Sequence, residues 1–276
     1  MNLQQAIAAL GDSLGLQVSF TVILLTFALL MSRVLPVIIL TPFLGGEVVP
    51  PEVKLGLGLT LGLVLFPAVS DRLQNIPTSA LPFLFLMCKE LFLGLALSFV
   101  VGMIFNAAEI AGTFIDAMAG TNMAQVYVPQ LQQQVSLFSS LKLQLVVVLF
   151  LTLDGHHLVI KAFADSLVAI PLDGFPRFSA GAWPFFDLLI RVFGDMMRVS
   201  LAISAPVFLT AFLTDLALGT INRVAPQVQV FFVAMQLKPM LTVLMMFLVI
   251  HLILQRVTTE FGGMFRLIGD VVRLAT

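Results

Sequence analysis

Long apolar blocks interrupted by proline constrain this chain more than any other feature. The blocks run at about residues 14–44, 55–69, 81–108, 143–170, 183–221 and 226–254. A helix that crosses the hydrocarbon core of a bilayer needs about 20 consecutive apolar residues, and several blocks fit that requirement badly. Block 55–69 is short and ends at Pro67, whereas 14–44 and 183–221 are too long for one span. Pro36, Pro42, Pro50, Pro51, Pro67, Pro206, Pro226 and Pro239 fall within the hydrophobic material or at its margins. Each lacks an N–H and disfavours helix at the preceding residue. Non-helical backbone at membrane depth persists only where protein or a water-filled cavity satisfies it. The pattern predicts an all-α membrane protein of broken helices and helical hairpins packed inside an assembly, rather than a row of clean spans. Composition agrees: 59% of the 276 residues are hydrophobic and 11% charged, against about 25% charged in soluble domains.

The remaining bulk properties exclude several classes. A net charge of −1 offers no electrostatic case for nucleic acid. Cys88 is the only cysteine, so neither an internal disulfide nor a cysteine metal cluster is available. The N-terminus lacks the basic region of a signal peptide. Cations sit beside acids, as in Asp71-Arg72, Lys89-Glu90 and Lys161 with Asp165, so the positive-inside rule assigns no topology. Asp187, Arg191, Asp195 and Arg198 recur at helical spacing as a stripe of alternating sign. Such a stripe is either a solvated face or a face turned toward another helix or subunit. Residues 256–276 read as a terminal amphipathic helix, with Arg256, Glu260, Arg266, Asp270 and Arg273 on one face. Phe261, Phe265, Ile268 and Val272 mark the other face, and Gly262-Gly263 weighs against continuity.

Three polar stretches could carry function. Asp154-Gly155-His156-His157 is the one run resembling a metal or catalytic cluster, yet zinc needs three or four ligands and no HExxH is present. Asp154, Gly155 and His156 read better as a break between two apolar helical halves. Walker A and dinucleotide fingerprints are missing, which points away from an enzyme and from a bound cofactor. The second stretch, 112–142, has no charge between Asp116 and Lys142 but is rich in Gln, Asn, Ser and Thr. Water would favour charges there, and lipid would not tolerate so many amides. A protein-lined cavity or pore mouth suits it; an ordinary surface loop is the plainer alternative. In the third stretch, Pro226 turns the chain, Gln227 and Gln229 satisfy freed backbone groups, and Arg223 and Lys238 flank the tip of a hairpin. A secondary transporter using Asp154, His156 and Asp116 as coupling residues is the competing reading.

Three segments carry a resemblance. RVLPVIILTPFLGGEVVPPEVKLGLGL (33–59), LFLTLDGHHLVIKAFADSLVAIP (149–171) and NRVAPQVQVFFVAMQLK (222–238) resemble, in order and spacing, the signatures of the FliR/SctT family of type III export-apparatus membrane proteins. The resemblance implies a FliP/SctR-like part at 1–180, then a FliQ/SctS-like hairpin with an amphipathic helix at 181–276. It implies one copy per gate, at the bacterial inner membrane, among FliP/SctR-type and FliQ/SctS-type subunits. An FlhB/SctU-type switch protein and exported polypeptides would be the other partners. It also implies a plug that closes the channel at about 112–134. Gly112, Ile115, Asp116, Met118, Gly120, Asn122, Met123, Gln125, Tyr127 and Pro129 are its candidate residues. The family's Asp-Pro pair in that loop is Val128-Pro129 here, and the partner's Pro-Lys order is reversed as Lys238-Pro239. Ile115-Asp116 and Lys89-Glu90 lean toward the injectisome branch over the flagellar one.

Overall fold

A computed structural model describes residues 20–44, 46, 49–67, 69, 76–77, 79–121, 126–128, 133–135, 137–178 and 181–276. Among the described residues seven helices dominate: α1 (Phe20–Leu40), α2 (Pro51–Leu65), α3 (Ala80–Ala119), α4 (Leu137–Thr152), α5 (Gly155–Ala169), α6 (Trp183–Val224) and α7 (Val230–Ala275). Between α3 and α4 lies a two-stranded antiparallel ribbon, β1 (Val126–Val128) and β2 (Gln133–Val135), which pairs Val126 with Val135 and Val128 with Gln133. Helices α1, α3, α6 and α7 are long and apolar enough to cross a membrane. The bent pair α4–α5 qualifies as a fifth span if counted as one.

The expected breaks fall in fewer places than the prolines suggested. Pro36, Pro206 and Pro239 sit inside continuous helices of 21, 42 and 46 residues. A proline removes one hydrogen bond, and membrane helices re-satisfy the freed group through neighbours and small local adjustments. Among the apolar blocks, one helix gives way to the next between Leu40 and Pro51, Leu65 and Ala80, Thr152 and Gly155, and Val224 and Val230. Asp154 takes a left-handed backbone, φ +56°, which ends α4 and lets α5 start one residue later. The turn at 225–229 is held by backbone bonds: Ala225 N to Ile221 O at 2.8 Å and Val228 N to Ala225 O at 3.0 Å. Among the described residues the side chains of Gln227 and Gln229 make no bond there; both are exposed, a correction to the role expected of them. Gly262 and Gly263 do not interrupt α7. Its last buried face is Phe261, Met264, Ile268, Val271 and Ala275, rotated slightly from the expected one, so that Phe265 and Val272 are only half-buried flanks.

The residues fall into two compact units. The first comprises Met1–Val101, His157–Leu189 and Phe265–Thr276. Leu29, Leu30, Val34, Ile38, Leu93 and Leu97 are buried in it, and so are three charges. The Arg33 guanidinium pairs with Glu90 and donates to Ser166 O and Ile170 O at 3.0 Å each, at the end of α5. Lys89 pairs with the other Glu90 oxygen at 2.5 Å and donates to Pro171 O and Gly174 O at 2.9 and 2.8 Å. One acid therefore holds two cations, and together they tie α1, α3 and the end of α5. Gly94, one turn beyond Glu90, permits this closeness, since a Cβ there would stand 2.6 Å from the Arg33 carbonyl oxygen.

The second unit comprises Gly102–His156 and Ile190–Met264. Phe105, Phe150 and Phe261 form an aromatic trio with centroid separations of 5.1 to 6.2 Å. Gly155 packs on that trio, because a Cβ would meet the Phe150 ring at 2.3 Å. Asp215 and Lys238 join α6 to α7 through a 2.6 Å ion pair.

Candidate functional site

The amide-rich segment between α3 and α4 starts later than its composition suggested. Gly112, Ile115, Asp116 and Met118 lie in the last turns of α3, not in a loop. Apolar residues at helical spacing decide this. Ala108, Ala111, Ile115 and Ala119 form a buried face, while Phe114 and Met118 point away and are exposed. Gly120 ends the helix in the left-handed region, φ +72°, where glycine carries no Cβ penalty.

Asp116 organises both ends of the loop. Its carboxylate is fully buried and accepts the Thr121 hydroxyl at 2.6 Å on Oδ1 and the backbone N–H groups of Phe138 and Ser139 at 3.1 Å each on Oδ2. Those N–H groups belong to the first turn of α4, where four backbone donors have no intrahelical partner and the helix dipole favours negative charge. Asp116 thus caps α4 from another helix, and the same side chain grips Thr121 at the start of the loop. Positions 121 and 138 are fastened to one carboxylate. Ser139 reinforces the clasp by donating from Oγ to Glu109 O at 3.1 Å. Ile115, Ala119, Phe138 and Val207 pack around it, with Met245 and Met246 against them.

Gly112 makes the clasp geometrically possible. A Cβ there would lie 2.3 Å from Ser139 Cα, and the obstacle is backbone, which cannot swing aside. Gly112→Val should therefore push α3 from α4 and destabilise the chain by about 1–3 kcal/mol. Unfolding of the purified protein in detergent would measure it, with Gly174→Ala, whose Cβ meets open space, as the control.

Of the other expected loop residues, Tyr127 lies on β1 opposite Gln134, and Asn122, Met123, Gln125 and Pro129 lie outside the described residues. Arg223 closes α6, and Pro226, Gln227 and Gln229 are exposed in the turn. Asp154 and the two histidines bring potential donor atoms within 4.8 Å of one another, but Asp154 and His157 are exposed. Asp116 and the Asp154–His156 pair sit at opposite ends of α4, about 24 Å apart for its 16 residues. No common coupling centre unites them.

Sequence reading overlooked Thr121 and the role of the α4 N-terminus, because a cap supplied from another helix leaves no local signature. It quoted Arg33 and Lys89-Glu90 without pairing them. The usable signal was their opposite sign within apolar helices, where a lone charge needs a partner.

Helices of this length and apolarity, with one clasped polar loop between two of them, define a multi-pass helical membrane protein. Comparison sharpens that class. The chain matches the family described as Bacterial export proteins, family 1, over residues 24–264, and it belongs to that family, the FliR/SctT family. It is 29% identical over 237 residues to the flagellar biosynthetic protein FliR of Bacillus subtilis, covering 86% of this chain and 90% of the relative. It is also 29% identical over 216 residues to the Yop proteins translocation protein T of Yersinia pestis, covering 78% and 82%. The secretion system apparatus protein SsaT of Salmonella typhimurium matches at 27% over 159 residues, 58% of this chain and 60% of the relative.

Proposed function

We propose that this chain is a structural and gating subunit of the inner-membrane export gate of a type III protein secretion system. Relatives named for flagellar biosynthesis, Yop translocation and a secretion apparatus support the machine. The observation that carries the gating role is the clasp: an uncharged, amide-rich segment fastened at both ends to the buried Asp116 carboxylate. A segment so held can block a passage without dissolving into lipid or unfolding into water. One copy joins FliP/SctR-type and FliQ/SctS-type subunits and an FlhB/SctU-type switch protein, with residues 1–180 resembling the FliP/SctR type and 181–276 the FliQ/SctS type. Unfolded polypeptides pass through the assembly, and the chain itself does no catalysis. The two branches match at equal identity, 29% each, so placing this chain with the injectisomes rests on Ile115-Asp116 and Lys89-Glu90.

The loop itself provides the test. Exchanging residues 122–134 for a short Gly/Ser linker leaves Ile115, Asp116 and the α4 cap in place. The expected result is an assembled gate, recovered with its partners in mild detergent, that conducts small ions when closed. An assembled gate of unchanged conductance would defeat the gating role.

A further inference from the structure

In the first unit, the chain between α5 and α6 forms a corner that is firmly held and yet bare. Lys89 donates to the carbonyl oxygens of Pro171, Leu172 and Gly174 at 2.9, 3.3 and 2.8 Å, and Leu172 is buried. Phe178 takes a left-handed backbone, φ +39°, and its carbonyl accepts from Gly181 N at 2.7 Å. Its ring packs on the buried Phe185 at a centroid distance of 5.5 Å. A bulky residue in that backbone region costs about 1–3 kcal/mol and persists only where its surroundings hold it. On this fixed turn and the helix start after it, Phe175, Trp183 and Phe186 are exposed. Trp183, the chain's only tryptophan, is 72% exposed. Arg177, next in sequence to Phe178, is exposed too, and among the described residues it forms no ion pair.

Charge decides whether lipid or protein covers this corner. The first turns of α6 carry Asp187, Arg191, Asp195 and Arg198, whereas Val199 to Asn222 has no charge but Asp215. Arg198 stays 75% exposed in its pair with Asp195, and a charge at the centre of a membrane helix costs about 2.5–3.5 kcal/mol. The part of α6 that suits hydrocarbon therefore begins near Val199. Trp183 lies about 24 Å further out along the axis, and the headgroup layer spans only about 5–7 Å of that distance. The corner stands in water, where bare rings are unfavourable by about 25 cal/mol per Å² of apolar surface. Tryptophan and arginine are the side chains on which protein interfaces concentrate their energy, and rings already fixed in place lose little freedom on binding.

We propose that this corner docks a neighbouring protein outside the membrane, one that offers an apolar pocket to Trp183 and a carboxylate to Arg177. The surface is independent of the gating role, because the loop at 122–134 takes no part in it. The test uses a cysteine reporter, Ala182→Cys in the Cys88→Ser full chain, and a maleimide that does not enter lipid. In nanodiscs holding the chain alone, position 182 should react about as fast as a free thiol in water. In open fragments of native membrane, with its companions present, it should react at least tenfold more slowly. Arg177→Glu and Trp183→Ala, both changes at exposed side chains, should restore the fast rate, and Arg177→Lys should keep the slow one. A slow rate in nanodiscs would put the corner in lipid, and equal rates in the two preparations would leave it uncovered; either result overturns the proposal. Protection that survives Arg177→Glu would also overturn it, as would protection that appears once a nanodisc holds two copies of the chain.

Discussion

Glu90→Leu is expected to lower stability by about 3–5 kcal/mol, the cost of stranding buried charge, and to do more damage than Arg33→Met. The asymmetry follows from stoichiometry: Glu90 is the acid with which both cations pair. Without it, Arg33 and Lys89 face each other in a buried site, held by carbonyl oxygens and, for Lys89, by the more distant charge of Asp173. Without Arg33, the Lys89–Glu90 pair survives as a neutral unit. Arg33→Met also releases Ser166 O and Ile170 O, but carbonyls at a helix end have other ways to be satisfied. Detergent-unfolding midpoints of the two purified variants would rank them, and a smaller loss for Glu90→Leu than for Arg33→Met would contradict the argument. Since whole domains are stable by about 5–15 kcal/mol, the Glu90 variant should also accumulate poorly in cells.

Asp116→Ala should open the base of the loop while sparing most of the helical frame. Its loss orphans two buried backbone N–H groups, at about 1–3 kcal/mol for an unsatisfied donor, and frees Thr121 as well. The first turn of α4 should fray, visible as faster amide exchange at residues 138–140 with little change in the middle of α3. If the loop closes a channel, an assembled gate carrying this variant should leak ions in the closed state, and Asp116→Asn should leak less. Its amide keeps one acceptor for Thr121 or the helix but loses the charge that favours the α4 N-terminus. Slow exchange at 138–140 in Asp116→Ala would show that the clasp does not hold α4.

What could be read from the sequence depended on how locally each feature is encoded. The helical class, the break at Asp154 and the turn at 225–229 all arise from short runs of residues acting on their own backbone. The prolines misled, because a helix tolerates a proline when its surroundings compensate, and surroundings are not visible in a window of ten residues. Pro206 and Pro239 prove the point inside α6 and α7. The amide-rich segment was recognisable by composition, but its start was misplaced by eight residues, since Gly112 to Ala119 carry a buried helical face under a polar-looking surface. Asp116 was singled out as a charge at the edge of a neutral stretch. What it does depends on Phe138 and Ser139, which lie more than 20 residues further along the chain, and no spacing rule connects them.

The lengths of α6 and α7 have a consequence for the cell. At 42 and 46 residues they measure about 63 and 69 Å along their axes, about twice the hydrocarbon thickness of a bilayer. Phe208, Phe212, Phe231, Phe232 and Phe247 nevertheless stay bare. A surplus copy, made without whatever covers those rings, would be a sticky orphan prone to clumping and proteolysis. Its synthesis must therefore be matched to that of its companions, and the amount of intact chain in a cell should follow the scarcest of them.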